Sequence, residues 1–191
     1  MRCGKRFLVV FFGMTASGKS TLGKAWAAYC NAPYYNTDLV RKELAGLRAS
    51  DRRPDGVETG IYSHSFTEKT YQALLDRAGE EFAAGTQLVI LDGSYSKQRD
   101  RDRVRELAAK CGVTSVFVFC TCSEDVVRSR LVQRAQDLEA VSDGRWEIYQ
   151  HQQSTFERPD VLLEADCLQL NTEQPVKDMV AWLATQIGVR K

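Results

Sequence analysis

The residues with the plainest chemical meaning are Gly13-Met14-Thr15-Ala16-Ser17-Gly18-Lys19-Ser20, which satisfy G-x-x-x-x-G-K-[ST] at every fixed position. Glycines in such a stretch let the main chain curl until successive N–H groups converge on an anion, and a helix beginning at its end adds partial positive charge. In that geometry Gly13, Ala16, Ser17, Gly18, Lys19, Ser20 and Thr21 cradle a phosphate chain. Lys19 is placed to reach its β- and γ-phosphates, and the Ser20 hydroxyl to ligate Mg²⁺. Binding of a magnesium-complexed nucleoside triphosphate, ATP, is the expected chemistry.

Three further groups of residues have suggestive spacing. Asp38 and Arg41 lie three apart on one helix face. Alone they read as a surface ion pair; beside a phosphate loop they read as groups that receive a second substrate. Asp92 closes the apolar run Leu88-Val89-Ile90-Leu91, a position from which a carboxylate can hold Mg²⁺ through water. An Asp-Gly pair is also an ordinary turn. Gly93 follows Asp92, where a water-activating glutamate would favour hydrolysis, so transfer to a hydroxyl is the better expectation. No N-K-x-D base-recognition motif occurs, which disfavours a GTPase switch. Arg130 and Arg134, four apart, share a helix face.

With Asn36-Thr37-Asp38-Leu39-Val40-Arg41 and Arg130-Leu131-Val132-Gln133-Arg134 added to the loop, the chain resembles the P-loop kinases. It is most similar to kinases of the AAA-33 type, which occur alone or behind an aminoglycoside-phosphotransferase-like domain. Polynucleotide 5′-hydroxyl kinase and the zeta-toxin and chloramphenicol-phosphotransferase branch are further relatives, with gluconate and shikimate kinases more distant. The resemblance implies that Asp38 contacts the acceptor hydroxyl, with Arg41 beside it, and that Arg130 and Arg134 belong to a lid closing over ATP, at about residues 123–145. A carboxylate suits the acceptor role because a loose phosphoryl transition state needs the hydroxyl oriented and its proton taken late. Arginines in a lid neutralise charge on the transferred group.

The elements that must position these residues are legible in the hydrophobic pattern. Phe7-Leu8-Val9-Val10-Phe11-Phe12 reads as a strand buried on both faces, and Leu22, Ala25, Trp26 and Tyr29 recur at helical spacing behind the loop. Tyr34-Tyr35-Asn36 reads as a second strand, with Thr37 capping a helix through Leu44. Residues 49–60 are polar and rich in breakers, a loop at a substrate mouth. Ser65-Phe66-Thr67-Glu68 has the form of a capping box, ahead of a helix ended by Gly85. Strands are expected at 88–91, 115–120 and 167–170. Helices are expected at 97–111, from Ser123 onward and at 145–157, with a last one opened by Thr172; residues 137–144 form a connection. Such alternation, without hairpin signals, predicts an α/β fold: a three-layer α/β/α P-loop domain with a parallel sheet and a helical lid.

At 191 residues the chain is expected to be a single domain. A formal net charge of +1 creates no global field favouring nucleic acid or an anionic membrane. Six cysteines lack a metal-like C-x-x-C pair and read as reduced thiols, so a cytoplasmic protein is expected. The apolar run at 7–12 flows into the phosphate loop and is too short to span a bilayer. Lys97 to Arg105 interleaves acids with bases and reads as a self-paired surface helix. Tyr62, His64 and Phe66 suit core or capping roles better than an acceptor pocket. Together these features predict an ATP-dependent kinase whose partner is a small molecule bearing a hydroxyl. The alternatives are a 5′-hydroxyl polynucleotide kinase, which the neutral charge disfavours, and a nucleotide-binding regulatory ATPase.

Overall fold

The first strand, β1 (Phe7–Phe12), lies at the centre of a five-stranded parallel sheet and is buried at all six positions. The computed structural model describes residues 5–51, 59–136, 145–160 and 164–189. Side chains alternate along β1: Leu8, Val10 and Phe12 enter one core, and Phe7, Val9 and Phe11 the other. The strand order is β2 (Tyr34–Asn36), β3 (Leu88–Gly93), β1, β4 (Thr114–Thr121) and β5 (Cys167–Asn171).

Helices cover both faces. α1 (Lys19–Cys30) buries Leu22 and Trp26 against the odd-numbered side chains of β1, together with the C-terminal helix Val176–Ile187. α2 (Thr37–Leu44), α3 (His64–Ala83) and α4 (Gln98–Cys111) pack against the other face through Val40, Leu74 and Val104. Then come α5 (Glu124–Gln136), α6 (Trp146–Thr155) and α7, that C-terminal helix. The three-layer α/β/α arrangement expected from the alternation is therefore present. The order in which strands are added switches sides at β1, with β2 and β3 on one side and β4 and β5 on the other. In open α/β sheets ligands enter at the carboxyl ends of strands around such a switch point.

Local starts differ from the sequence expectations where a side chain found another partner. Asn36, not Thr37, caps α2: its Oδ1 accepts from the N–H groups of Asp38 and Leu39 at 3.0 and 3.1 Å. α3 begins two residues before the expected box, with Ser63 Oγ accepting from Phe66 N. α7 begins at Val176 with Pro175 at its cap, and Thr172 lies buried before it. Most of the expected 49–60 loop (52–58) and the 137–144 connection within the expected lid lie outside the described residues. No described helix is long and apolar enough to cross a membrane.

Candidate functional site

Three successive residues of the loop between β1 and α1 are held from outside, each by a side chain from a different element. Thr15 N–H donates to Gln152 Oε1 of α6 at 2.7 Å. Ala16 C=O accepts from Arg130 Nη1 of α5 at 3.1 Å, and Ser17 C=O from Thr172 Oγ1 at 2.7 Å. Arg130 and Thr172 are themselves joined, Nη1 to Oγ1 at 3.0 Å and Nη2 to the Thr172 carbonyl at 2.8 Å. These ties hold Ala16 in the left-handed region at φ 59° without the freedom of a glycine. Gly18 stands at φ 85°, and a Cβ there would lie 2.8 Å from Thr172 Oγ1, so only glycine allows the approach.

The front of the loop turns back on itself. Met14 C=O accepts from Ser17 N at 3.2 Å and from Lys19 Nζ at 3.1 Å. Gly13 N donates to the Ser94 carbonyl beyond β3. Beneath the loop, Ala16 joins Val127, Leu131 and Tyr149 in a small apolar cluster, with Met14 and Trp146 packed on it. At its other end the first amides of α1 have no intrahelical partner by geometry. Ser20, Thr21 and Gly18 line a cavity of about 680 Å³ there.

Asp38, Arg130 and Arg134 open on that same cavity, together with Asn36, Thr172 and the first turn of α7. Burial pushes the Arg134 guanidinium down from its ordinary value, the Asp38 carboxylate opposes that shift, and Arg130 adds to it. An acid on α2 and two bases on α5 thus face one space above the phosphate loop. Arg41 is elsewhere. It is buried rather than forming the surface pair with Asp38 that spacing alone suggests. Its Nη1 donates to Ile61 C=O at 2.6 Å and Thr67 Oγ1 at 3.0 Å, and its guanidinium stacks 5.0 Å over the Tyr62 ring. Tyr62, His64 and Thr67 belong to a second cavity of about 500 Å³, whose far wall includes Ser94, Ser96 and Lys97. Phe66 contributes its N–H to the Ser63 cap.

Asp92 is fully buried at the end of β3. Strand register places it opposite Asn36, whose Nδ2 donates to Oδ2 at 2.7 Å, and Tyr34 donates its hydroxyl to the same oxygen. Tyr34 also interacts with Ser20, so one phenol links the loop serine to the strand-end acid. Its own pKa is driven upward by burial and by the Asp92 charge. Asp92 Oδ1 is buried without a hydrogen-bond partner. A buried carboxylate oxygen left unsatisfied is costly unless something else satisfies it. A carboxylate oxygen and a serine hydroxyl are the kinds of donor that a hard, oxygen-seeking divalent cation takes.

Four residues of this constellation escape a reading of the sequence. Tyr34 reads as a strand aromatic, although alternation in β2 puts it on the α1 side with Asn36. Asn36 reads as the last strand residue rather than a cap and a ligand to Asp92. Thr172 reads as a helix opener. Gln152 sits in Tyr149-Gln150-His151-Gln152-Gln153, with nothing to single it out. The five described cysteines are free thiols; burial lifts Cys30 to about 11 and Cys167 to about 12.

Comparison with known proteins adds a family and a fold. A family model described as an AAA domain, AAA_33, matches residues 8–159. Uncharacterised proteins of Mycobacterium tuberculosis and Mycobacterium bovis are 32% identical over 128 residues, 67% of this chain. The chain spans only 26% of the length of those relatives. Among solved structures, a sugar kinase from Janibacter sp. aligns with a TM-score of 0.70 at 18% identity, covering 97% of this chain and 95% of that one. A gluconokinase from Sinorhizobium meliloti 1021 gives 0.62 at 22% identity, with 98% of each chain covered. The APS kinase of Mycobacterium tuberculosis in complex with AMPPNP and APS gives 0.67 at 16% identity, covering 96% of this chain and 98% of that one.

Proposed function

The chain belongs to the AAA_33 family of AAA domains, and from that premise we propose that it is an ATP-dependent kinase that phosphorylates a hydroxyl of a small molecule. The observation that carries this reading is that Asp38 opens on the same cavity as the phosphate loop, with Arg130 and Arg134 across from it. The solved kinases that share the fold act, by name, on sugars, gluconate or APS, which supports a small acceptor.

In this reading ATP lies with its phosphates on residues 13–21 and its nucleoside end toward Thr172 and the first turn of α7. Ser20 and Asp92 would hold Mg²⁺, which would supply charge neutralisation on the phosphates. Tyr34 and Asn36 keep the Asp92 carboxylate fixed through its other oxygen. Asp38 accepts a hydrogen bond from the acceptor O–H and orients its oxygen at the γ-phosphorus. A new O–P bond forms as the bond to the β,γ-bridging oxygen breaks. ADP departs, and the hydroxyl proton passes late to Asp38 and on to water. Lys19 neutralises charge on the β- and γ-phosphates, and Arg134 and Arg130 stabilise what accumulates on the transferred group. Arg41 serves the acceptor side by fixing Tyr62 and Thr67 rather than by touching the reacting atoms.

The test is transfer from γ-labelled ATP with Mg²⁺ to a panel of sugars, aminoglycosides, nucleosides and 5′-hydroxyl oligonucleotides, with Lys19→Ala as the blank. Label transfer to a small alcohol is expected. Salt-sensitive transfer to the oligonucleotide alone would replace the small acceptor with a nucleic-acid end. ADP formation that no acceptor accelerates would leave only a slow ATPase.

A further inference from the structure

The peptide unit joining Met14 to Thr15 is held at both ends. Its carbonyl accepts from Lys19 Nζ at 3.1 Å and from Ser17 N at 3.2 Å, and its N–H donates to Gln152 Oε1 at 2.7 Å. A trans peptide is planar, with its N–H and C=O pointing in opposite directions, so fixing one end fixes the other. The N–H bond to Gln152, together with the Ser17 N–H at the other end, therefore sets where the Met14 carbonyl points, and that carbonyl is where the Lys19 ammonium rests. We propose that Gln152 is a positioning residue for Lys19, acting through the 14–15 peptide, and that it makes the loop favour a triphosphate over a diphosphate.

Several features make Gln152 suited to this. It lies three residues after Tyr149 on α6, hence on the same helix face. Tyr149 is buried against Ala16, Val127 and Leu131, which seats that face on the loop. Among the described hydrogen bonds of residues 13–18, Thr15 N–H is the one main-chain donor given to a side chain from elsewhere in the chain. The ties from Arg130 and Thr172 act on carbonyls two and three residues beyond that of Met14, in other peptide units. A carboxamide is also the fitting acceptor here: it takes the N–H bond without bringing negative charge beside a phosphate site. Lys19 serves the β- and γ-phosphates, whereas the amides at the helix start serve the α- and β-phosphates. Loss of the tether is therefore felt mainly by the ligand that carries a γ-phosphate.

The inference rests on the nucleotide reading of the loop, and calorimetry with ADP and a non-hydrolysable ATP analogue separates the two. In Gln152→Met, which keeps the length but not the acceptor, affinity for the triphosphate analogue is expected to fall about tenfold, the loss of one hydrogen bond serving a charged group. ADP affinity should change by less than about threefold, under about 0.7 kcal/mol, and Tm should stay near that of the unaltered protein. Gln152→Asn, with the acceptor drawn back by one methylene, should repeat the pattern. In transfer assays kcat should fall while the acceptor KM holds. Equal losses for the two nucleotides, or no loss for either, would overturn the role of Gln152 while leaving the loop as the nucleotide site. An unaltered protein that binds neither nucleotide would remove that reading, and this inference with it.

Discussion

Arg101 and Arg105 on α4 lie one helical turn apart, as do Arg130 and Arg134 on α5. Their partners differ in kind. Arg101 makes a two-pronged pair with Glu164 at 2.8 and 3.0 Å, gives Nη1 to the carbonyls of Tyr95 and Glu157, and lies over the Phe12 ring. Arg105 holds Asp102, Glu164 and Asp166. On α5, Arg130 is fixed by neutral oxygens, the carbonyls of Ala16 and Thr172 and the Thr172 hydroxyl. A guanidinium wrapped in carboxylates has its charge cancelled and serves as a strut. One positioned by neutral acceptors beside a cavity keeps its charge to offer an incoming anion. The surface helix expected at 97–105 is in fact pinned to the segment leading into β5, with Arg101 only 1% exposed.

The largest expected effect is on rate. Arg130→Ala should lower kcat of the proposed transfer by roughly 10³-fold or more, the range for an arginine acting on a phosphoryl transition state. Thermal unfolding by calorimetry should move less than in Arg101→Ala, because the bonds lost go to neutral oxygens and strand no buried charge. Equal kcat per folded molecule would break the contrast between the two helices. Arg101→Ala should do the reverse. Glu164 then loses two of its three arginine hydrogen bonds and keeps only that from Arg105, a cost of up to about 3–5 kcal/mol and a drop in Tm of up to roughly 6–20 °C for a chain of this size. The activity of the folded fraction should be kept. Replacing Arg101 and Glu164 together by Met and Leu should recover most of that loss, since well-packed apolar pairs match buried ion pairs.

A smaller effect concerns acid. Burial pushes the Glu164 carboxyl up, but its hydrogen bonds to Arg101 and Arg105 outweigh that and hold it below the ordinary 4.5. A carboxyl depressed in the folded state contributes stability that is fully present above 4.5 and lost as pH falls through its folded value. Tm measured from pH 6 downward should therefore decline below about pH 4.5, and Glu164→Gln should flatten that decline. The smallest effect is expected at Arg128, exposed on α5 and paired with Glu124 four residues earlier. Its removal should leave Tm and kcat unchanged within error, because exposed pairs contribute little.

How far the sequence could be read follows from the range of each interaction. The loop, the strands and most helices were legible because their signals are local: an eight-residue motif, apolar runs and glycine stops. The starts of α2 and α3 slipped because Asn36 and Ser63 cap as well as the Thr37 and Ser65 that follow them. Arg101 looked solvent-facing because Glu164, which buries its charge, lies 63 positions away. Thr172 and Gln152 reach the loop across 155 and 137 positions, meetings that only the order of strands in the sheet brings about. Asp38 is legible through the resemblance and Asp92 through its place at a strand end; the Tyr34 and Asn36 bonds that hold Asp92 come from strand register, which no local pattern encodes.

The most direct test of the transferase reading is a comparison of the unaltered protein with Asp38→Asn in a small-metabolite extract containing γ-labelled ATP and Mg²⁺, followed by mass spectrometry. Binding of an ATP analogue should be measured on the same samples. The account predicts a phosphorylated alcohol formed by the unaltered protein, absent with Asp38→Asn, and analogue affinity alike in both. The same product formed at the same rate by Asp38→Asn would contradict it.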